Sequence, residues 1–242
     1  MTSAIPHQAG ASPHNPERLR GIELLQRVSD KALIDLASQC TWRSFLPGQQ
    51  IVARASRDRH VYFIASGKVR VCVYSASGRE VAFRDVGAGK CFGEIAAIDG
   101  LPRSADVEAL ERCTIASITP QRFWKLLEDH PQVVANVMRL LSSTIRSLSD
   151  RLFELSTLGV QNRVHAELLR LAKEAGAEDG AVILDPAPRH VDIAMRISAN
   201  REQVTKEISA MRRVGLVVPK GRHALFVPDV ARLERTVNEA AK

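Results

Sequence analysis

Cysteine is scarce in this 242-residue chain and scattered: Cys40, Cys72, Cys91 and Cys113, with no C-x-x-C pair. That spacing excludes a disulfide framework and a clustered thiolate site for zinc or an iron–sulfur centre, and leaves buried structural thiols. No run approaches the roughly 18 consecutive apolar residues that a membrane helix needs. Met1 to Asn15 is rich in Ala, Ser, Pro and His and lacks the apolar core of a signal peptide. It is expected to be a disordered tail, on a protein of the cytoplasm without a membrane partner. His60, His190 and His223 have no nucleophile or metal-ligand companions nearby in sequence, which argues against an enzyme and against a metal site.

What the chain does have is basic charge. The formal net charge is +7, with a pI near 9.6. Eight Lys/Arg against three Asp/Glu fall between Arg189 and Arg222. Such a local excess points to a polyanionic partner. At 45% hydrophobic and 25% charged, the composition is that of a globular protein able to bury real cores.

Three patterns follow one another. A helical pattern runs from about Pro16 to Cys40, offering Leu24, Leu25, Leu33, Ile34 and Leu36 as an apolar face. From Thr41 to about Ile118, short runs rich in Val, Ile, Phe and Tyr alternate with turns at Pro47-Gly48, Ser66-Gly67, Ser77-Gly78, Gly87-Ala88-Gly89 and Asp99-Gly100. Val69, Val71 and Val73 share one strand face, with Val81, Phe83 and Val86 close behind, as in an antiparallel barrel or roll. A long helix then begins after Pro131. Its apolar residues Val134, Met138, Leu141, Ile145, Leu148, Leu152 and Leu155 step by 4, 3, 4, 3, 4, 3, a heptad seam that predicts pairing with a second copy. Gly159 is the candidate hinge, a further helical pattern carries Val164, Leu168, Leu169 and Leu171, and a polar linker spans Glu174 to Gly180.

The most specific string is Phe92-Gly93-Glu94-Ile95-Ala96, continuing to Pro102-Arg103-Ser104-Ala105. It resembles the phosphate-binding cassette of cyclic-nucleotide-binding domains. The chemistry agrees. A cyclic phosphate suits a guanidinium, here Arg103, supplemented by backbone N–H groups at Ser104 and Ala105 and the Ser104 hydroxyl. Glu94 supplies an acceptor for a ribose 2′-OH, Gly93 lets the chain approach the sugar without a Cβ, and Ile95 completes the set.

A second string, Val191-Asp192-Ile193-Ala194 through Ser198-Ala199-Asn200-Arg201-Glu202-Gln203-Val204-Thr205-Lys206, resembles the helix-turn-helix of one regulator family. Asn200 is placed to N-cap the second helix, with Gln203 completing a capping box. Val204, Ile208 and Met211 share its core side. Arg201, Glu202, Thr205, Lys206 and Ser209 share the other, where they are expected to meet base edges. Lys220-Gly221-Arg222-His223, flanked by Leu216-Val217-Val218 and Ala224-Leu225-Phe226-Val227, predicts a two-stranded wing with Lys220 and Arg222 on phosphates.

Both strings, in this order, resemble the cyclic AMP receptor/FNR superfamily of bacterial transcription regulators from residue 20 onward. The resemblance implies an α+β fold. It would comprise an N-terminal antiparallel β-roll over 16–130 after the 1–15 tail, a long dimerisation helix over 131–158, and a C-terminal winged helix-turn-helix over 159–242. It also implies a homodimer on a palindromic double-stranded DNA operator, with RNA polymerase as a further partner. Its effector would be cyclic AMP, alternatively cyclic GMP, and no metal. In this family the base meets a Thr-Ser pair on the long helix. Here Leu148 replaces the Thr and Ser149 is kept. Two alternatives stay open: a family regulator responding to another effector, and a cyclic-nucleotide module acting on a protein partner. Ser198 stands where a turn glycine is frequent, and Lys206 where arginine is usual.

Overall fold

A computed structural model of the chain describes residues 16–75, 80–177 and 180–240. The expected N-terminal tail and the Ser77-Gly78 turn lie outside them. The expected continuous N-terminal helix is instead three short pieces: α1 (Glu17–Arg20), a 3-10 turn (Glu23–Leu25) and α2 (Asp30–Gln39). Arg27, at φ 67°, sits between the turn and α2. Ile34, assigned to the apolar face, is exposed, while Leu33 and Leu36 are buried.

Among the described residues eight strands follow: β1 (Thr41–Phe45), β2 (Gln50–Val52), β3 (Val61–Ser66), β4 (Lys68–Tyr74), β5 (Glu80–Gly87), β6 (Cys91–Phe92), β7 (Asp106–Ala109) and β8 (Cys113–Ile118). They make two four-stranded sheets, β1-β8-β3-β6 and β2-β7-β4-β5. β3 pairs antiparallel with β8 and β6, and β7 pairs antiparallel with β2 and β4. Alternation along β3 sends side chains both ways. Val61 and Phe63 join a core with Leu19, Ile22, Leu36, Phe123 and Val133. Ile64 joins Phe45, Val52, Val69, Phe92, Val107 and Ile115 in a second core. The central strands β3 and β8 are therefore largely buried on both faces, whereas the edge strand β1 is exposed along most of its length. Inserted between β6 and β7 is α3 (Glu94–Asp99); α4 (Pro120–Asp129) follows β8, capped by the Thr119 side chain. All four cysteines are free thiols and buried. Burial pushes the Cys40 thiol up to about 12.

The long helix α5 spans Pro131–Thr157. Val133 and Val137 are buried, and Val134 and Leu141 pack partly against the N-terminal core. Those two seam residues thus serve their own domain. Met138, Ile145, Leu148, Leu152 and Leu155 form the exposed stripe, with Met138, Ile145 and Leu152 at 63–66% exposure.

The chain divides into two compact units, one holding residues to Val73 and Arg84–Ser142, the other Tyr74–Phe83 and the chain from Ser143 on. In the second unit, α6 (Val160–Glu174), β9 (Val182–Leu184), α7 (His190–Arg196), α8 (Arg201–Arg213), β11 (Ala224–Val227) and α9 (Val230–Ala240) share one core, while β10 (Val218–Lys220) is exposed throughout. That core is built from Val164, Leu168, Ile193, Val204, Ile208, Met211, Leu225 and Leu233. The wing is a three-stranded sheet, β10-β11-β9, where two strands were expected. Fully buried Glu167 on α6 gathers three arginines: Arg170, Arg196 at 2.8 Å, and Arg151 of α5 at 3.8 Å. Gly159, which precedes α6, lies at φ −63° with open space where a Cβ would stand, so its position does not require glycine. Among the described residues, no helix is long and apolar enough to cross a membrane, and no group of three metal-ligating side chains occurs.

Candidate nucleotide cavity and nucleic-acid interface

In the N-terminal unit a cavity opens between the second sheet and α3. Val52, Val71, Arg84, Phe92, Gly93, Glu94, Ile95, Arg103, Ser104 and Ala105 are among its lining residues. Six of the sequence-predicted residues thus share one wall. Gly93 begins α3 at φ 88°, a left-handed conformation that favours glycine. A Cβ there would stand 2.6 Å from both Arg103 Nη1 and the His60 carbonyl, so glycine is also needed for space.

Glu94 is 1% exposed, yet its Oε2 has no hydrogen-bond partner among the described residues, and Arg84 Nη2 stands 3.8 Å from Oε1. Burial pushes its carboxyl above the usual carboxylate range, and Arg84 offsets part of that. A buried oxygen without a donor is costly, and a sugar hydroxyl would satisfy it. The residues present therefore fit an anionic group at Arg103 and a hydroxyl at Glu94. Leu148 and Ser149 are exposed on α5 and are not among the residues lining this cavity.

Two residues of this region escaped the sequence reading. Arg84 lies on β5 between buried Ala82 and Val86, on their side of the strand. A charge at an inward position was a legible signal, but only once the register was known. Asp58 binds Arg103 from the β2–β3 loop, and nothing in the sequence marks it.

In the C-terminal unit, α7, the turn and α8 form a helix-turn-helix. Asn200 Oδ1 accepts from the Gln203 amide at 2.8 Å, and Gln203 Oε1 accepts from the Asn200 N–H at 3.1 Å, the capping box expected. Ser198 adopts φ 53°, a left-handed turn conformation that glycine takes without penalty. Val204, Ile208 and Met211 are buried. Asn200, Arg201, Glu202, Thr205, Lys206 and Ser209 line one open concave face. Lys220 and Arg222 are exposed at the wing, Lys220 Nζ lying 5.4 Å from the Phe226 ring centroid.

His190 also belongs to this face. Its Nδ1 is 2.8 Å from Thr205 Oγ1, whose own proton goes to the Arg201 carbonyl, so Nδ1 donates. Burial, with Arg212 and Arg201 nearby, lowers its pKa. Behind α8, His165 Nε2 meets Glu207 Oε1 at 2.7 Å.

Residues 42–130 match the family model of the cyclic nucleotide-binding domain, and residues 162–236 that of the Crp-like helix-turn-helix domain. A CRP-like cAMP-activated global transcriptional regulator of Mycobacterium tuberculosis is 26% identical over 213 residues, 88% of this chain and 95% of that protein. A cyclic AMP receptor protein of Thermus thermophilus is 29% identical over 204 residues, 83% of this chain and 90% of that one. Among solved structures, a CRP/FNR-family transcriptional regulator from Thermus thermophilus has a TM-score of 0.64 at 26% identity, covering 83% of this chain and all of the other. The c-di-GMP-responsive global regulator CLP of Xanthomonas campestris shares the fold at a TM-score of 0.69 and 19% identity, covering 83% and 99%.

Proposed function

Because this chain belongs to the CRP/FNR superfamily of cyclic-nucleotide-binding transcription regulators, we propose that it is a cyclic-AMP-responsive factor that binds an operator as a homodimer. The observation that carries the effector is the cavity wall on which Glu94 keeps an unpartnered buried oxygen beside the Arg103 guanidinium. Glu94 accepts from the sugar hydroxyl. Arg103, the Ser104 hydroxyl and the Ser104 and Ala105 N–H groups hold the phosphate, and Ile95 packs on the sugar side.

The exposed stripe Met138–Leu155 supports the dimer, since a second copy would cover it. Leu148 and Ser149 reach the base from this helix, Ser149 across the dimer. Nucleotide binding favours one pairing of the two α5 helices and thereby sets the spacing of the two Arg201–Lys206 faces on a palindromic operator. This cycle runs in the cytoplasm, with RNA polymerase as the downstream partner and no catalysis by the chain itself.

Leu148 favours a second reading of the effector. It brings no hydroxyl to the base, which leaves cyclic GMP or another effector as the competing ligand.

The test is calorimetric titration with cyclic AMP and cyclic GMP side by side. Operator affinity is then measured with and without the nucleotide that binds. Linkage requires the operator to tighten nucleotide binding by the same factor, about 5- to 150-fold. Equal operator affinity in both states would overturn the switch.

A further inference from the structure

Arg103 has already committed most of its guanidinium. Four of its five N–H groups donate within the protein. Nε and Nη2 donate to Asp58 Oδ2 at 3.2 and 2.5 Å, Nη1 to the Gly93 carbonyl at 2.9 Å, and Nη2 also to the His60 carbonyl at 2.6 Å. The side chain is 4% exposed, and its Cζ lies 5.5 Å from the Tyr62 ring centroid. A bidentate clamp on phosphate needs two parallel donors, and Arg103 has one left.

The anion that holds the others is itself firmly held. Asp58 accepts from Tyr62 Oη at 2.9 Å and meets His60 Nδ1 at 2.5 Å. Burial raises its carboxyl, but hydrogen bonds from Arg103, His60 and Tyr62 outweigh this and bring it down to about 2. It stays charged at every pH the protein would meet in a cell. Asp58 does not line the nucleotide cavity. With Arg57, Arg59, His60 and Trp124 it lines a separate groove.

Resting on the nucleotide reading above, we propose that Asp58 is a built-in competitor for the ligand's phosphate. A cyclic nucleotide engages Arg103 by taking donors that Asp58 holds, and the displaced carboxylate releases the Arg57–His60 segment beside Trp124. A bare phosphate lacks the sugar hydroxyl that Glu94 needs, so it displaces Asp58 poorly. The competitor thereby sets an affinity threshold that the whole nucleotide clears and a bare phosphate does not.

The experiment is calorimetry of cyclic AMP and cyclic GMP on the full chain and on Asp58→Asn, which is nearly isosteric. Asp58→Ala is the second variant should the first unfold. The expected result is affinity tighter by about tenfold in the variant, the lower end of what a charge-assisted hydrogen bond contributes. Inorganic phosphate should compete measurably only against the variant. In a Trp42→Phe background, nucleotide should shift Trp124 emission when Asp58 is present and not in Asp58→Asn. Equal or weaker nucleotide binding by a folded variant overturns the competitor while leaving the nucleotide reading intact. Absence of binding by both proteins overturns both.

Discussion

His165 Nε2 and Glu207 Oε1 stand 2.7 Å apart in the interior of the C-terminal unit, joining α6 to the back of α8. The pair fixes the helix whose opposite face carries Arg201, Glu202, Thr205 and Lys206. His165→Ala should leave a buried carboxylate unpaired and cost about 1.5–3 kcal/mol, the range for hydrogen bonds to charged groups. Urea unfolding reads this directly. A loss below about 0.5 kcal/mol, the size of an ordinary surface substitution, would assign the pair no structural weight.

Glu94 should trade stability for binding. Its ionised form is disfavoured by burial, so whatever it contributes to stability is present below its ordinary pKa and lost as pH rises through the raised one. Glu94→Gln removes that loss. The variant should be more stable than the parent by about 1 kcal/mol at neutral pH, the lower end of the cost of an unsatisfied buried group. The gain should fade as pH falls below the raised pKa, and vanish once Glu94 is neutral in the folded and the unfolded protein alike. Cyclic nucleotide should bind the variant more weakly but still measurably, because the amide oxygen accepts from a hydroxyl. Melting curves across pH decide it, and a variant less stable than the parent at pH 7 sinks the argument.

Ile145→Asp should give monomers by light scattering. Ile145 is 64% exposed on α5 and packs on neither core, so the charge disturbs only a partner. The equivalent change at Leu141 would be ambiguous, because Leu141 also packs on the N-terminal core. A dimeric Ile145→Asp protein would show that this stripe is not the interface.

Ser198→Gly should stabilise the helix-turn-helix. At φ 53° a residue with a Cβ carries a strain of about 1–2 kcal/mol, partly offset by glycine's greater unfolded-state entropy. A net gain of about 0.5–1 kcal/mol is expected in thermal unfolding. Destabilisation would mean that the Ser198 hydroxyl has a role of its own.

The two classes of DNA contact should separate by salt. Removing Lys220 and Arg222 together should weaken binding to all sequences alike and lower the salt slope by about two. Arg201→Ala should instead cost about 1–3 kcal/mol on the operator and relax preference at one base position. Fluorescence anisotropy at several salt concentrations measures both. Identical behaviour of the two variants would contradict the division between wing and recognition helix.

The parts legible in the sequence are those whose residues are close neighbours along the chain. Phe92 to Ala105 spells one cassette, and Gly93 is required there both by its φ and by the approach of Arg103. Asn200 and Gln203 cap a helix three residues apart, and the strands between Thr41 and Ile118 announce themselves through alternation and turn glycines. Local rules of backbone conformation and period suffice for these. The same rules misjudged the first 40 residues, where leucines that suit a helix were used by three short pieces. They also read the heptad stripe as a single interface, although tertiary packing takes Val134 and Leu141 for the domain core.

Only the folded chain selects the partners of its charges. Arg103 and Asp58 are 45 positions apart, His165 and Glu207 are 42 apart, and Glu167 and Arg196 are 29 apart. A lone Asp or Arg carries no local mark of which opposite charge it will meet, since the pairing is set by sheet register and helix packing. Burial then makes the choice consequential, because a charge removed from water must find a partner. The sequence therefore determined which groups the two sites possess. The tertiary structure decided which of them, Arg103 above all, are already engaged.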